Sequence, residues 1–177
     1  MNKLVTLSFS TSMLVLFSIP AFSQNVAVID TQAAILQTQV AQDAFKALEE
    51  ETEYSSMVEE AKELQAKRQN MVEKLQKDAE ALSNEEIAEL QKDIQENGQD
   101  LEFILGKIQA KQNETVQSVA TELNPQMMKI INDLIISKKI QILLGADQVL
   151  FSDSSVSITE QVTDALDGAA SAESQSD

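Results

Sequence analysis

The side chains of this 177-residue chain that could do chemistry are almost all carboxylates and amines. The chain has 29 acidic and 13 basic residues but no histidine and no cysteine, which excludes thiolate or imidazole catalysis and the usual zinc and copper sites. The acidic clusters Glu49-Glu50-Glu51, Glu59-Glu60 and Glu85-Glu86 could hold a cation or act as an acid–base pair. We interpret them as solvated helix faces, because no alternating acidic loop with a central glycine is present.

Sequence motifs for cofactor binding are also absent. The chain has four glycines, and none lies in the G-x-x-x-x-G-K-[ST] pattern whose backbone amides hold phosphates. We therefore expect no cofactor and no ATP-driven activity, and we predict that the protein is not an enzyme. The excess of acidic residues also disfavours binding of nucleic acid or of anionic membrane surfaces.

The elements that carry these charges are predicted to be two long helices. From about Gln32 to Lys138 the chain is rich in Glu, Gln, Lys, Leu and Ala and has no proline before Pro125, which favours helix. Apolar residues recur there with a period near 3.5, which is typical of a coiled-coil seam. The outgoing seam is Tyr54, Met57, Ala61, Leu64, Arg68, Met71, Leu75, Asp78 and Leu82. The returning seam is Ile87, Leu90, Ile94, Asn97, Leu101, Ile104, Ile108, Lys111 and Thr115.

The chain could turn between these helices at two positions. Ser83 and Glu86 form an S-x-x-E capping box that would start a new helix, and Asn97-Gly98 is a rival turn signal. A turn near Ser83 leaves arms of nearly equal length, whereas a turn at Gly98 would leave apolar residues of the longer arm in water. We therefore predict a helical hairpin over residues 32–138 with its tip near residue 83 and arms of about 75 Å.

Some seam positions could do more than pack. Arg68, Asp78, Asn97 and Lys111 could mark a functional cavity, although polar residues in a seam more often set its register. Aromatic residues and the adaptable methionines could contact a bound partner, although ordinary packing is the commoner role. The candidates for seam packing or partner contact are Tyr54, Met57, Leu64, Met71, Leu75, Ile94, Leu101 and Phe103.

The N-terminal segment has the layout of a secretory signal peptide. Lys3 precedes an apolar run from Leu4 to Ile19, which is followed by Pro20 and the small-residue site Ala21-Phe22-Ser23. The run is short and interrupted by serines, so it does not predict a spanning helix. We expect cleavage of residues 1–23, export to the periplasm and no stable membrane insertion afterwards.

Short β-prone segments flank the helices. Asn25–Asp30 precedes them, and Ile140–Leu144 and Gln148–Phe151 follow them as a predicted β-hairpin around Gly145-Ala146-Asp147. A helical hairpin brings its ends together, so residues 24–31 and 139–167 should form a three-stranded base that also carries a short helix ending near Leu166. The fold class is thus α+β and mostly α, and residues 168–177 should be a disordered tail.

Such a base is too small to bury a large core and leaves apolar strand edges exposed. Self-association would cover these edges, so the sequence predicts an oligomer. The candidate interface residues are Val26, Val28, Ile142, Leu143, Leu144, Val149, Leu150 and Phe151.

Four segments of the chain together resemble the OmpH/Skp family of periplasmic chaperones. They are Val26–Asp30, Asn124-Pro125 with the apolar run after it, Val149–Asp153, and Ser157-Ile158-Thr159. The resemblance implies a homotrimer whose strands join into a small barrel-like body, with three helical hairpins around a central cavity. It also implies an ATP-independent holdase whose partners are unfolded outer-membrane proteins.

The charge of the hairpin departs from that family, whose well-known members are basic. Gln32 to Lys138 has 21 acidic and 11 basic residues, a net charge of −10. Because of this acidity, the resemblance implies neither electrostatic capture of partners nor lipopolysaccharide binding for this chain, and both questions stay open. The alternative function is a structural or adaptor coiled coil of the cell envelope that binds fixed folded partners.

Overall fold

The computed structural model describes residues 25–174, so the predicted signal peptide lies outside the described residues. The fold is largely helical with a small strand base, which confirms the predicted class. In chain order the elements are β1 (Val26–Ile29), α1 (Thr31–Leu36), α2 (Gln39–Glu50), α3 (Thr52–Lys77), α4 (Asn84–Lys138), β2 (Ile142–Gly145), 3-10 turns at Ala146–Gln148 and Ser154–Val156, and α5 (Thr159–Ser174).

The long hairpin is formed by α3 and α4, which are joined by a turn at residues 78–83. The 55 residues of α4 extend over about 80 Å. The predicted capping box is present, since the Ser83 Oγ accepts a hydrogen bond from the Glu86 N–H (3.3 Å) and the Glu86 carboxylate accepts one from the Ser83 N–H (2.8 Å). The bond from the Ser83 backbone is the main reason that the pKa of Glu86 lies below its ordinary value. Gly98 and Pro125 both lie inside α4, and neither ends it.

The outgoing half is not the single helix predicted from Gln32 onward. It is divided into α1, α2 and α3 by breaks at Gln37-Thr38 and at Glu51. The buried Thr38 hydroxyl caps α2, because it accepts a bond from the Ala41 N–H (3.2 Å) and donates one to the Ile35 carbonyl (2.7 Å). Glu51 joins α2 to α3 in an extended conformation (φ −66°, ψ 125°). Tertiary packing of the base thus overrides a helix propensity that continues through both breaks.

The two strands form a small parallel sheet at the base. Val26 lies opposite Ile142 and Val28 opposite Leu144, and an isolated bridge joins Val28 to Ser157. Parallel strands must be joined by a crossover, and here the whole helical hairpin is that crossover. The sheet therefore sits where the hairpin begins and ends.

The predicted β-hairpin between Ile140 and Phe151 is wrong, and the described residues hold two strands rather than three. After Gly145 the chain enters a 3-10 turn, in which the Val149 N–H donates to the Ala146 carbonyl (3.3 Å). The chain therefore does not fold back along β2. One edge of β2 is left without a partner strand among the described residues.

The core of the base includes more of the helices than the sequence predicted. The Thr163 hydroxyl of α5 adds a buried hydrogen bond to the Ala34 carbonyl of α1 (3.1 Å). Residues of α1, α2 and the last part of α4, which were assigned to the hairpin from the sequence, pack in this core together with β1 and α5. The buried residues of this core are Ala27, Ile29, Ala34, Ile35, Ala41, Val119, Leu123, Met127, Ile130, Ile131, Ile158, Val162 and Leu166.

The last helix, α5, is longer than predicted. It continues through Gly168 to Ser174, so the predicted disordered tail is wrong as far as residue 174, and residues 175–177 lie outside the described residues. Three alanines within this extension favour helix more than Gly168 disfavours it. The Asp167 carboxylate also accepts a hydrogen bond from the Gln39 N–H at the start of α2 (2.8 Å), which fixes α5 against the outgoing helices.

Candidate interaction surfaces

The first candidate surface is the arm, by which we mean the hairpin of residues 52–118 beyond the core of the base. The predicted seam residues Tyr54 and Met57 are buried where α3 packs on α4. Phe103 does not lie on the seam. It is 63 % exposed, and the Lys107 ammonium lies over its ring at 4.5 Å from the centroid. The half-buried members of the predicted set are Leu64, Met71, Leu75, Ile94 and Leu101.

Polar contacts join the two helices at the inner end of the arm. The Lys111 ammonium lies 3.4 Å from a Glu51 carboxylate oxygen and 3.7 Å from one of Glu53. The charge of Glu51 is the main reason that the pKa of Lys111 lies above its ordinary value. The Gln112 amide donates to the Tyr54 hydroxyl (2.8 Å). The sequence pattern placed Lys111 on the seam but gave no sign of these partners, because the break at Glu51 that positions two of them was not foreseen.

The middle of the arm contains an uncompensated polar group. Asn97 is 3 % exposed, and neither atom of its side-chain amide has a hydrogen-bond partner among the described residues. Leaving such a group unpaired costs about 1–3 kcal/mol. Arg68 lies across the seam, and a Cβ added at Gly98 would come within 3.7 Å of its guanidinium carbon. The unpaired amide therefore weakens the seam at this position.

An open groove of about 920 Å³ runs along α4 beside this weak region. Its lining includes Arg68 of α3 and uncharged residues of α4, several of them glutamines. We call it the amide groove. The lining residues that matter below are Arg68, Gln91, Gln95, Gln99, Glu102, Leu105 and Gly106. The sequence held a signal for this surface in the glutamines four residues apart, but the periodicity of apolar residues drew attention to the seam instead.

The second candidate surface is the apolar part of the base. Leu150 and Phe151 are 109 % and 85 % exposed and extend from the chain just after the 3-10 turn. Ile142 on β2 is 43 % exposed. Val28, by contrast, is buried within the chain, so it cannot contact a second copy in the way the sequence suggested. The other predicted interface residues, which are half-buried, are Val26, Leu143, Leu144 and Val149.

The acidic clusters do not form a metal centre in the part of the chain that the structure describes. No group of three or more carboxylates there is close enough to hold a metal ion. Glu86 is instead engaged in the capping box, and Glu51 pairs with Lys111. Within residues 25–174, none of the helices has the length and apolar character that a membrane crossing requires.

The chain matches the sequence model of a known protein family. The family model described as "Outer membrane protein (OmpH-like)" matches residues 25–166. The chain belongs to the OmpH-like family. The match begins at β1 and ends in α5, so the OmpH-like segment includes both the base and the arm, and the resemblance seen in the terminal motifs is confirmed.

This chain is also similar to a protein of solved structure. It is a protein from Caulobacter crescentus CB15 that is described as an OmpH-like outer membrane chaperone. The two sequences are 16% identical, the alignment covers 82% of this chain and 85% of that chain, and the TM-score is 0.45. No curated protein matches the sequence.

Proposed function

We propose that this OmpH-like protein is an ATP-independent holdase chaperone of the periplasm. It binds unfolded outer-membrane proteins between its helical arms and keeps them soluble until they assemble in the membrane. The observation that carries the proposal is the arm itself, a long hairpin that is attached to the base only at one end and has an imperfect seam.

A holdase without an energy source needs many weak contacts and arms that adapt to different chains. Beyond α2, α3 packs chiefly against α4, so few long-range contacts hold the arm in one position. The buried Asn97 amide weakens the seam further. Exposed side chains such as Phe103 and Leu105 offer apolar contact without a deep pocket. Weak contacts of this kind also allow release once the bound chain reaches a lower free energy in the membrane.

A second element of the proposal is that the bases assemble into a homotrimer. The exposed Leu150 and Phe151, together with the unpaired edge of β2, form an apolar surface of the kind that proteins cover by association. The number three comes from the resemblance to the OmpH/Skp family. Three arms around one bound chain would multiply weak contacts through effective concentration.

The proposed compartment follows from the predicted signal peptide of residues 1–23. We propose that the protein acts without cofactor and without nucleic acid, and that it catalyses no reaction. Its acidity means that contact with acidic partners must come from short-range interactions, because repulsion between charges fades over about 8 Å at physiological salt.

The proposal is tested by mixing the protein with several unrelated unfolded outer-membrane proteins and measuring their aggregation by light scattering. A holdase suppresses aggregation of all of them at a near-stoichiometric ratio. A structural or adaptor coiled coil, the alternative, would leave all of them to aggregate and would bind one folded envelope partner instead.

A further inference from the structure

Three glutamines occupy successive turns of α4 in the amide groove. Gln91, Gln95 and Gln99 are exposed, and none of their side-chain amides makes a hydrogen bond to any described residue. Two other glutamines of the arm donate from their side-chain amides, Gln69 to Glu73 and Gln112 to Tyr54. The groove thus presents a row of amides, each of which can both donate and accept a hydrogen bond.

The spacing of this row matches an extended polypeptide. Residues four apart in an α-helix are displaced by about 6 Å along its axis. In an extended chain, backbone groups on the same edge repeat about every 6.6 Å, which is two residues at about 3.3 Å each. The small difference over three positions is within the reach of flexible glutamine side chains. One strand-like segment could therefore meet all three amides.

The remaining lining of the groove suits such a segment. Gly106 has no side chain and nothing within 4 Å of the position that a Cβ would take, which lets another backbone approach α4 closely there. Leu105 is half exposed and offers an apolar contact for a side chain of the bound segment. These features make the groove shallow and unselective rather than shaped for one ligand.

The charge of the groove also differs from that of the surrounding chain. Arg68 is the single arginine of the sequence, and its guanidinium makes no ion pair with any described carboxylate. Glu102 is the one acidic residue of the lining, so the groove carries no net charge, whereas residues 32–138 have a net charge of −10. The lining of the groove is thus less negative than the arm around it, and it offers a cation that has no ion pair among the described residues.

We propose that the amide groove binds an extended segment of unfolded polypeptide through its backbone, with Arg68 pairing with a carboxylate side chain of that segment. The inference rests on the proposed function and specifies one surface that performs it. Backbone recognition by glutamine is independent of sequence, which a holdase requires, and each exposed hydrogen bond is weak, which permits release.

The first test replaces the three amides. The triple variant Gln91→Met, Gln95→Met and Gln99→Met keeps side-chain length and helix propensity but removes the hydrogen-bonding groups. Its matched control is Gln65→Met, Gln76→Met and Gln161→Met, three exposed glutamines outside the groove. The probe is a labelled, unstructured peptide that repeats Leu-Thr-Asp-Thr, and its binding is followed by fluorescence anisotropy, with circular dichroism to check the fold.

We expect the groove variant to bind this peptide about tenfold more weakly and the control to bind it as the natural chain does. Methionine adds apolar surface, so binding through apolar contact alone would become tighter in the groove variant. Unchanged or tighter binding by the groove variant would overturn the inference and leave the proposed holdase standing. Absence of peptide binding by the natural chain would contradict the inference and count against the proposed function as well.

The second test first changes the probe instead of the protein, and that part holds even if a protein variant folds poorly. A peptide N-methylated at alternate residues lacks the backbone donors on one edge, and we expect the natural chain to bind it about tenfold more weakly. The role of Arg68 is tested with Arg68→Met and with a second peptide in which Asn replaces each Asp. The variant should bind the Asp-containing peptide up to about fivefold more weakly than the natural chain does, and it should bind the Asn-containing peptide as the natural chain does. Equal binding of the N-methylated and unmodified peptides would refute backbone recognition.

Discussion

The Lys111 ammonium of α4 lies 3.4 Å from the carboxylate of Glu51, the residue at which α2 ends and α3 begins. The contact joins the returning helix to the outgoing chain at the position where that chain leaves the core of the base. It is reinforced by Glu53 at 3.7 Å and by the bond from Gln112 to Tyr54 (2.8 Å). The root of the arm therefore combines these polar contacts with a buried apolar cluster that includes Tyr54 and Met57, whereas the middle of the arm contains the unpaired Asn97 amide.

This relationship predicts a stability that depends on pH. The pKa of Lys111 is raised in the folded state, chiefly by the charge of Glu51, so its contribution is fully present below the ordinary lysine pKa and is lost as the pH rises through the raised value. Lys111→Met should be slightly less stable than the natural chain at neutral pH, and the difference should vanish above the raised pKa. Urea unfolding of the natural chain and of the variant, at neutral pH and at a pH above the raised pKa of Lys111, measures this difference in stability. The control Lys129→Met should show no such change, since Lys129 has no ion pair among the described residues.

Asn97 should limit the stability of the arm. Replacing it in Asn97→Leu removes a buried amide with no partner and adds apolar contact, so we expect the free energy of unfolding to rise by about 1–3 kcal/mol. The exposed Asn70→Leu is the control and should change it little. Urea unfolding, with hydrogen exchange of the flanking amides, measures both. A loss of stability in Asn97→Leu would mean that the amide is satisfied by a group outside the described chain.

The hairpin and its tip could be predicted from the sequence because their signals are local. The period near 3.5 and the capping box at Ser83 both act over a few residues, and the structure retains them. The break at Glu51 was not predicted, because the β-branched Thr52 and the like charges of Glu49 and Glu53 disfavour helix only weakly. Packing of α2 against α4 adds to these local effects. The parallel pairing of β1 with β2 could not be predicted from the sequence either, because β-propensity does not specify strand direction.

For the candidate surfaces too, only the features that depend on local sequence patterns could be predicted. Burial of Tyr54 and Met57 followed from the seam pattern, whereas exposure of Phe103 depends on which side of α4 it occupies, one position away from the buried Ile104. The apolar character of Leu150 and Phe151 could be read from the sequence. Their position outside a strand could not, because it depends on the 3-10 turn that follows Gly145. Glu51 could be predicted as the partner of Lys111 only if the helix break at Glu51 were known first.

Gly98 and Gly106 should lower the stability of α4, although the chain has room for a Cβ at both positions. A Cβ at Gly106 would meet nothing within 4 Å, and at Gly98 it would meet only the Arg68 side chain at an ordinary contact distance. We therefore expect Gly98→Ala and Gly106→Ala each to raise the free energy of unfolding by about 0.5–1 kcal/mol. Urea unfolding tests this, and a clear loss of stability in either variant would show that the residue is required by a contact the chain makes with another molecule.

The exposed base should control assembly. Leu150→Asp combined with Phe151→Asp places two charges on side chains that are free in the single chain, so the monomer should fold and the trimer should dissociate, because burying unpaired charges in an interface costs several kcal/mol. Multi-angle light scattering should give about one chain mass instead of three. Phe103→Asp, on the arm, is the control and should leave the mass unchanged. Val28→Asp should unfold the base instead, since Val28 is buried within the chain. Retention of the natural mass by the double variant would exclude this surface as the interface.

The most direct test of the holdase account is to dilute one acidic outer-membrane β-barrel protein out of urea in the presence of this protein, at the ratio of about three chains to one that the proposed trimer requires, and to measure the fraction that stays soluble. The measurement is repeated from about 50 to 500 mM salt, over which the Debye length falls roughly threefold. Because short-range apolar and backbone contacts are expected to act on an acidic partner, the account predicts that most of the β-barrel protein stays soluble at every salt concentration. Precipitation to the same extent as without this protein would contradict the account, and protection that disappears as salt rises would show that long-range attraction holds the bound chain instead.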